Sequence, residues 1–282
     1  MAGLKKANND FEKVVGQIED ENVRTLNETF EIAEDGYVHD VPLLAGYVDA
    51  EGKLHQTFTY REMNGRDEEA LNKAEIRSNG AKLINTIVER CVVQIGTLTK
   101  KECGARWGTI VREMLGGDLD YMAFKIRELS KGNEIEFTHK CPNCGTKLNT
   151  VVNTEEFNIK PYTGQSAINF TLVRGYKDRK GEVHKEGVIR LPNGFDREIV
   201  TPMFKKNSST AMSMLMTRLV AFNDDDVIVT QNGISDLSLR DRDILEKVIK
   251  ENAFGIDTTI EDISCTSCGQ DISGEVGQSN FF

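Results

Sequence analysis

No stretch of this sequence stays apolar for the twenty or so residues that a bilayer crossing requires. A membrane-spanning role is therefore not expected. Aromatic residues are scarce, at 7% with a single tryptophan, and prolines number five in 282 residues. With 39% apolar and 28% charged residues, this is globular rather than fibrous or disordered composition. Positive charge is in deficit, since 35 Lys and Arg face 45 Asp and Glu, a net charge of −10. A phosphate backbone is gripped by a concentrated basic surface, so nucleic acid is not the expected partner. The basic run Lys177-Asp178-Arg179-Lys180 reads as a solvated hairpin tip. The opening Met1-Ala2-Gly3-Leu4-Lys5-Lys6 lacks the apolar segment of a secretion signal. Synthesis in a reducing cytoplasm is expected.

Catalytic signatures are missing as well. There is no G-x-S-x-G elbow, phosphate-binding Walker loop, dinucleotide fingerprint or H-E-x-x-H pair. Four scattered histidines do not suggest a triad. Asp224-Asp225-Asp226 reads as an acidic loop after a helix, and the pairs Asp118/Asp120 and Asp241/Asp243 as helix-capping residues. The expectation is a chain that is no enzyme and has no small-molecule substrate.

What the chain does contain is a repeat. Gly46-Tyr47-x-Asp49-x-x-Gly52-x-x-His55 recurs as Gly175-Tyr176-x-Asp178-x-x-Gly181-x-x-His184, shifted by 129 positions. The same shift carries Asn64-Gly65-x-Asp67-x-Glu69 onto Asn193-Gly194-x-Asp196-x-Glu198. Asp118, Ile126, Glu128 and Gly132 return 123 positions later as Asp241, Ile249, Glu251 and Gly255. Each copy ends in a cysteine pair, Cys141-Pro142-Asn143-Cys144-Gly145 and Cys265-Thr266-Ser267-Cys268-Gly269. The equivalence of His55 and His184 points to a shared structural role.

A Cys-x-x-Cys-Gly turn brings two sulfurs to one side and aims backbone N–H groups at them, while the glycine accepts the dihedral the turn needs. Two such turns supply four thiolates, the donor set of a closed structural zinc site. Cys141, Cys144, Cys265 and Cys268 are thus the candidate ligands of one structural Zn2+. An iron–sulfur cluster uses the same ligands and stands as the alternative. Redox-active dithiols sit in a βαβ context that is missing here. With all four ligands cysteine, no coordination position is open for catalysis. His139, two residues before the first pair, reads as a satisfied surface or outer-sphere residue. Cys91 and Cys103 read as buried free thiols.

Periodicity gives an α+β fold of internally duplicated β-hairpin and helical units, joined by a zinc-ribbon-like four-cysteine site. Apolar spacing over residues 1–30 suggests an amphipathic helix. Hairpins are expected over 36–60 and 169–191. Helices are expected over 81–95, 106–115, 118–131, 208–222 and 239–251, with a short helical start at 67–70. Asn64-Gly65 reads as a turn, and Gly116-Gly117 as a helix break. A strand enters the first cysteine turn at 134–139 and another leaves it at 151. The division is a helical arm (1–35), a first repeat (36–160), a second repeat (161–270) and a tail (271–282). Phe281 and Phe282 in that tail are candidate partner-docking residues, because a free aromatic end is a liability in solution.

The run Arg61-Glu62-Met63-Asn64-Gly65-Arg66-Asp67-Glu68-Glu69, then Arg90-Cys91-Val92-Val93-Gln94-Ile95-Gly96, is similar to baseplate hub proteins of contractile-tailed, T-even-like bacteriophages. So is Gly117-Asp118-Leu119-Asp120-Tyr121-Met122-Ala123-Phe124-Lys125-Ile126-Arg127-Glu128-Leu129-Ser130-Lys131-Gly132, leading into Cys141-Pro142-Asn143-Cys144. The resemblance covers residues 40–155 well and the second copy loosely. It implies a non-enzymatic, oligomeric structural subunit of the virion tail, packed against hub, spike or tube-initiator proteins. Two other readings stay open: an assembly chaperone absent from the finished particle, and a zinc-ribbon nucleic-acid module.

Overall fold

The computed structural model describes residues 31–275 and is a mixed α+β fold. It starts with strands β1 (Val38–Val48) and β2 (Leu54–Tyr60), an antiparallel hairpin with its tip at 49–53. Alternation buries Val41, Phe58 and Tyr60 on the inner face. The register slips between Pro42 and Tyr47, a bulge that bends β1 and turns backbone N–H groups away from β2. Gly46 lies in this bulge at φ 88°, where a Cβ would come within 2.8 Å of the His55 carbonyl. Only glycine fits there.

Helix α1 (Gly65–Leu71) follows, then α2 (Ala74–Arg77) and α3 (Gly80–Cys91). Asn64 is more than a turn residue: it caps α1, its side chain accepting from the Asp67 N–H while the Asp67 carboxylate accepts from the Asn64 N–H. The helix expected to run to residue 95 ends at Cys91. Val92–Ile95 forms strand β3 instead, paired with β2 through Phe58 and Ile95. Two β-branched valines in succession favour that extended pairing. β4 (Leu98–Thr99) completes a sheet of order β1-β2-β3-β4. The helix expected over 106–115 is shorter. Its place is taken by α5 (Trp107–Glu113), which stops two residues early and is preceded by the short α4 (Lys100–Cys103) and a 3-10 turn at Gly104–Arg106. The glycine pair does not itself break the chain. Gly116 and Gly117 are the first residues of α6 (Gly116–Lys131), where a Cβ on Gly117 would meet the Phe254 ring at 2.5 Å. Gly132, at φ 79°, ends α6.

Next comes a hairpin of β5 (Glu134–Lys140) and β6 (Lys147–Asn153), so the strand leaving the first cysteine turn begins four residues earlier than expected. Short β7 (Asn158–Lys160) leads to the second large hairpin, β8 (Ala167–Lys177) and β9 (Val183–Arg190). Helices α7 (Gly194–Phe204) and α8 (Ser208–Leu219) follow, and the chain again passes from helix into strand, here β10 (Val220–Phe222). The helix expected to reach residue 222 therefore stops at Leu219. This sheet has the order β10-β9-β8. Then come α9 (Gln231–Ser235), α10 (Leu239–Glu251), β11 (Gly255–Asp257), and a final hairpin of β12 (Thr259–Ser264) and β13 (Asp271–Glu275).

Each large hairpin with its helices has its own apolar core. One is built on residues such as Phe58, Ile87, Met122 and Ile126, the other on Phe170, Ile189, Met216 and Leu245. Met212, Met214 and Met216 belong to the second, as core filling. α7 seats on α3. Asn79 Nδ2 donates to the Glu198 carbonyl at 2.8 Å, and Asn85 Nδ2 to Glu198 Oε1 at 2.8 Å and the Gly194 carbonyl at 3.2 Å. Arg112 Nε reaches the same Glu198 oxygen at 3.0 Å. β7 pairs with β11, so the segment that follows the first small hairpin is joined to the one that precedes the second.

Candidate metal centre

The two small hairpins carry the cysteine pairs at their tips. In the first, the Cys141 N–H donates to the Thr146 carbonyl and the Gly145 N–H to the Cys141 carbonyl, both at 2.9 Å, with Gly145 at φ 73°. In the second, the Cys265 N–H donates to the Gln270 carbonyl at 2.9 Å and the Gly269 N–H to the Cys265 carbonyl at 2.8 Å, with Gly269 at φ 69°. Both turns are thus closed by the same two bonds and released by a left-handed glycine.

The tips face each other. Cys141 Sγ lies 3.7 Å from Cys268 Sγ, Cys144 Sγ lies 3.6 Å from Cys265 Sγ, and all four sulfurs fall within 4.8 Å of one another. A zinc ion with Zn–S bonds of about 2.3 Å sets its ligand sulfurs about 3.8 Å apart along each tetrahedral edge. The four cysteines therefore fit a single tetrahedral ion, each hairpin contributing one buried and one exposed sulfur. Leu148 and Ile272 pack beside Cys141 and Cys265. Deeper, a larger apolar layer of Phe124, Ile135, Phe137, Val152 and Phe157 meets Ile256, Ile260 and Ile263.

The thiols are not equivalent electrostatically. Hydrogen bonding with the Thr146 hydroxyl and backbone holds the Cys144 thiol down to about 6. At Cys265, the Ser267 and Cys268 N–H groups pull downward, but burial and the neighbouring thiols push it up to about 11. Four thiolates packed this closely repel one another, and a divalent cation relieves that repulsion.

His139 is no ligand of this cluster. Its ring stacks on Phe137 with centroids 5.2 Å apart, and both ring nitrogens are buried without a hydrogen-bond partner. The expected satisfied histidine is thus an apolar-packed one. His55 and His184 do share a structural role, bracing their hairpin tips against Asp49 at 2.9 Å and Asp178 at 3.3 Å. Asp178, Glu182 and His184 converge within 4.8 Å at the second tip, but the first tip has Lys53 where the second has Glu182. That group is a hairpin brace. Asp224 accepts from the Asp226 N–H in an exposed loop. Phe281, Phe282 and the helix expected over 1–30 lie outside the described residues, and residues 31–35 of the arm are coil and turn.

The acidic residues read as caps do something else. Asp118 is wholly buried and is not the cap of α6. Its carboxylate reaches across to the β1 bulge and accepts from the N–H groups of Leu44 at 2.7 Å, Ala45 at 3.1 Å and Gly46 at 3.0 Å. Asp241 does the same to β8, accepting from Val173 at 2.6 Å, Arg174 at 3.1 Å and Gly175 at 3.2 Å. The α10 cap is Ser238. Burial pushes Asp118 up to about 7 against its three N–H donors. At Asp241 burial also raises the value, but the Val173 N–H and the Ser238 hydroxyl outweigh it and hold the carboxyl below its ordinary range. Asp120 pairs with Arg197 at 2.8 Å.

A second recurring device escaped the sequence reading. The buried Asp67 carboxylate takes Arg61 Nη1 and Arg90 Nε, both at 2.7 Å, and Asp196 takes Arg190 Nη1 at 2.6 Å and Arg218 Nε at 2.7 Å. In each case the first arginine also bonds the carbonyl of the second. The signal was present, since Arg61 and Arg190 are separated by the same 129 positions as the aspartates.

The model of the T4 bacteriophage base plate protein family matches residues 48–282. The chain belongs to that family. No curated protein and no solved structure matches it. As a base plate protein it is a structural component of the phage tail, located in the virion tail among other tail proteins, and such families are generally non-enzymatic. Among the described residues of this base plate protein, no helix is long and apolar enough to cross a membrane.

Proposed function

We propose that this chain is a non-enzymatic subunit of the baseplate hub, packed against hub, spike or tube-initiator proteins, and that one structural Zn2+ clasps its two halves. The observation that carries the clasp is the approach of four sulfurs from hairpins more than 120 residues apart, at distances suited to one ion. Sulfurs in near contact leave no room for an iron–sulfur cluster with its own sulfides, which favours a single ion, and a closed all-cysteine set is the one structural zinc takes. The hub assignment rests on the family match and on the likeness of residues 40–155 to hub proteins.

The two halves are the products of an internal duplication. What supports this is recurrence of geometry as well as sequence: the bulge seized by a buried aspartate, the Asn–Asp capping box, and the two arginines on its carboxylate. The units are the arm (1–35), a first repeat (36–160) and a second repeat from 161, each carrying a zinc-ribbon-like hairpin; pairing of β12 with β13 draws residues 271–275 of the expected tail (271–282) into the second hairpin, and the remainder, with Phe281 and Phe282, docks on a neighbour.

Mass spectrometry of purified particles tests the assignment. Stoichiometric presence in the particle is the expected result, whereas confinement to assembly intermediates would make the chain a chaperone. A nucleic-acid module is disfavoured by the charge of −10. A salt-dependent shift with DNA or RNA would revive it.

A further inference from the structure

Gly194 and Gly65 occupy the same place in the two halves. Each is the first residue of a helix, follows a capping asparagine, and precedes by two residues the aspartate that takes two arginines. Neither has a positive φ, so backbone conformation does not demand glycine at either. At Gly194 packing does. A Cβ there would come within 2.9 Å of the Asn85 amide and 3.0 Å of the Arg112 Cα, because α7 is pressed onto α3 and α5. At Gly65 a Cβ would meet nothing within 4 Å among the described residues. A bare glycine in a helix gives up propensity relative to alanine, and no contact of the described residues compensates for it.

The residues next to it repeat the pattern. Glu198, which takes Asn85 and Arg112 across the internal interface, has Glu69 as its counterpart, and Arg197 has Glu68. Glu68 and Glu69 are exposed and carry no ion pair among the described residues. Beside them lies a cavity of about 360 Å³ whose lining includes Gly65, Glu68, Leu71 and Leu83 together with the basic Arg77 and Lys131. The internal interface is head-to-tail: it uses the α3 side of the first half and the α7 side of the second. Among the described residues, such an arrangement leaves the α1 side of the first half uncovered.

We propose that the face of α1 around Gly65, Glu68 and Glu69 docks the first turns of a helix from another tail protein. Resting on the hub reading, it names the chemistry of one neighbour. The incoming helix carries an asparagine side chain that packs on Gly65 and donates to its carbonyl, as Asn85 does on Gly194. It also carries a basic residue that meets the two glutamates, the part that Arg112, on the adjacent α5, plays for Glu198. A second copy of this chain is a poor occupant. On α8 the counterpart of Asn85 is Ser213, which is buried and already holds Arg242 Nη1 at 2.6 Å.

The test places a photo-crosslinking amino acid at Glu68 and irradiates infected cells. The expected adduct joins this chain to a different phage tail protein. It maps within the first two turns of a helix bearing Asn and Lys or Arg. Gly65→Leu and, separately, Glu69→Lys reduce its yield at least about tenfold, while both purified, zinc-loaded variants melt with the wild type. No adduct, an adduct only to a second copy, or an adduct undiminished by both variants overturns the proposal. Because cells rather than particles are irradiated, the result stands whether or not the chain is retained in the virion. Retention is decided separately by the particle composition.

Discussion

Replacing Cys265 by serine removes one of four thiolates and leaves a hydroxyl that stays protonated at neutral pH. The size of the consequence follows from what else holds the two hairpin tips together. Among the described residues, Leu148 and Ile272 are what packs beside Cys141 and Cys265 in the apolar cluster there. Burying such a side chain contributes about 1.5–3 kcal/mol, so the pair supplies at most about 3–6 kcal/mol. A structural zinc ion in cysteine-rich peptides contributes about 10–16 kcal/mol. The ion therefore dominates at the tips. Farther down, the layer containing Ile135, Phe137 and Val152 persists without it. Hydrogen exchange read by mass spectrometry should show a graded loss. Amides at the tips, including Cys141, Gly145, Cys265 and Gly269, should exchange more than about 100-fold faster, since each 1.4 kcal/mol is a factor of ten. Amides at Ile135, Phe137 and Val152 should stay protected, as should those of α3 and α6. A chelator added to the wild type should reproduce the pattern. Unchanged protection at the tips in both experiments would refute the clasp.

Three further outcomes follow from the same geometry. Cys141→Ser should lower thermal stability about as much as Cys265→Ser, and elemental analysis should return about one zinc per chain; two ions or none would contradict a shared site. Arg61 and the Asn64 N–H hold the Asp67 carboxyl down to about 2 despite burial. Its contribution to stability is thus complete above its ordinary value near 3.8 and lost as pH falls toward 2. Asp67→Asn should flatten acid unfolding in that window and lower stability by about 3–5 kcal/mol, because two guanidinium groups lose their partner. Deleting Gln278–Phe282 should leave the melting temperature unchanged and reduce incorporation into particles, which quantitative mass spectrometry would detect.

Much of the fold was legible because hairpins and helices announce themselves over short ranges. The alternation at 54–60 and the 3.6-residue stripe at 239–251 became β2 and α10. The misreadings occur where a tertiary partner overrides a local pattern. Val92–Ile95 and Val220–Phe222 continue a helical apolar stripe, yet each is drawn into a sheet by an open strand edge that only the folded hairpin provides. Asp118 sits where helix caps sit, and nothing nearby in sequence shows that its acceptors serve a strand more than 70 residues away. His139 was read as polar because of its residue type, but stacking on Phe137 places it among apolar neighbours.

By itself the sequence determined the ligand chemistry and the doubling of the pattern, since both depend on residue type and spacing along one chain. Two Cys-x-x-Cys-Gly turns supply four sulfurs, a donor set suited to one tetrahedral ion. Which surfaces meet was decided only by the tertiary structure. The meeting of the two tips, the seating of α7 on α3, and the contrast between a crowded Gly194 and an open Gly65 depend on how far apart backbone atoms end up. Two identical Asn-Gly pairs carry no trace of that difference until the chain has folded.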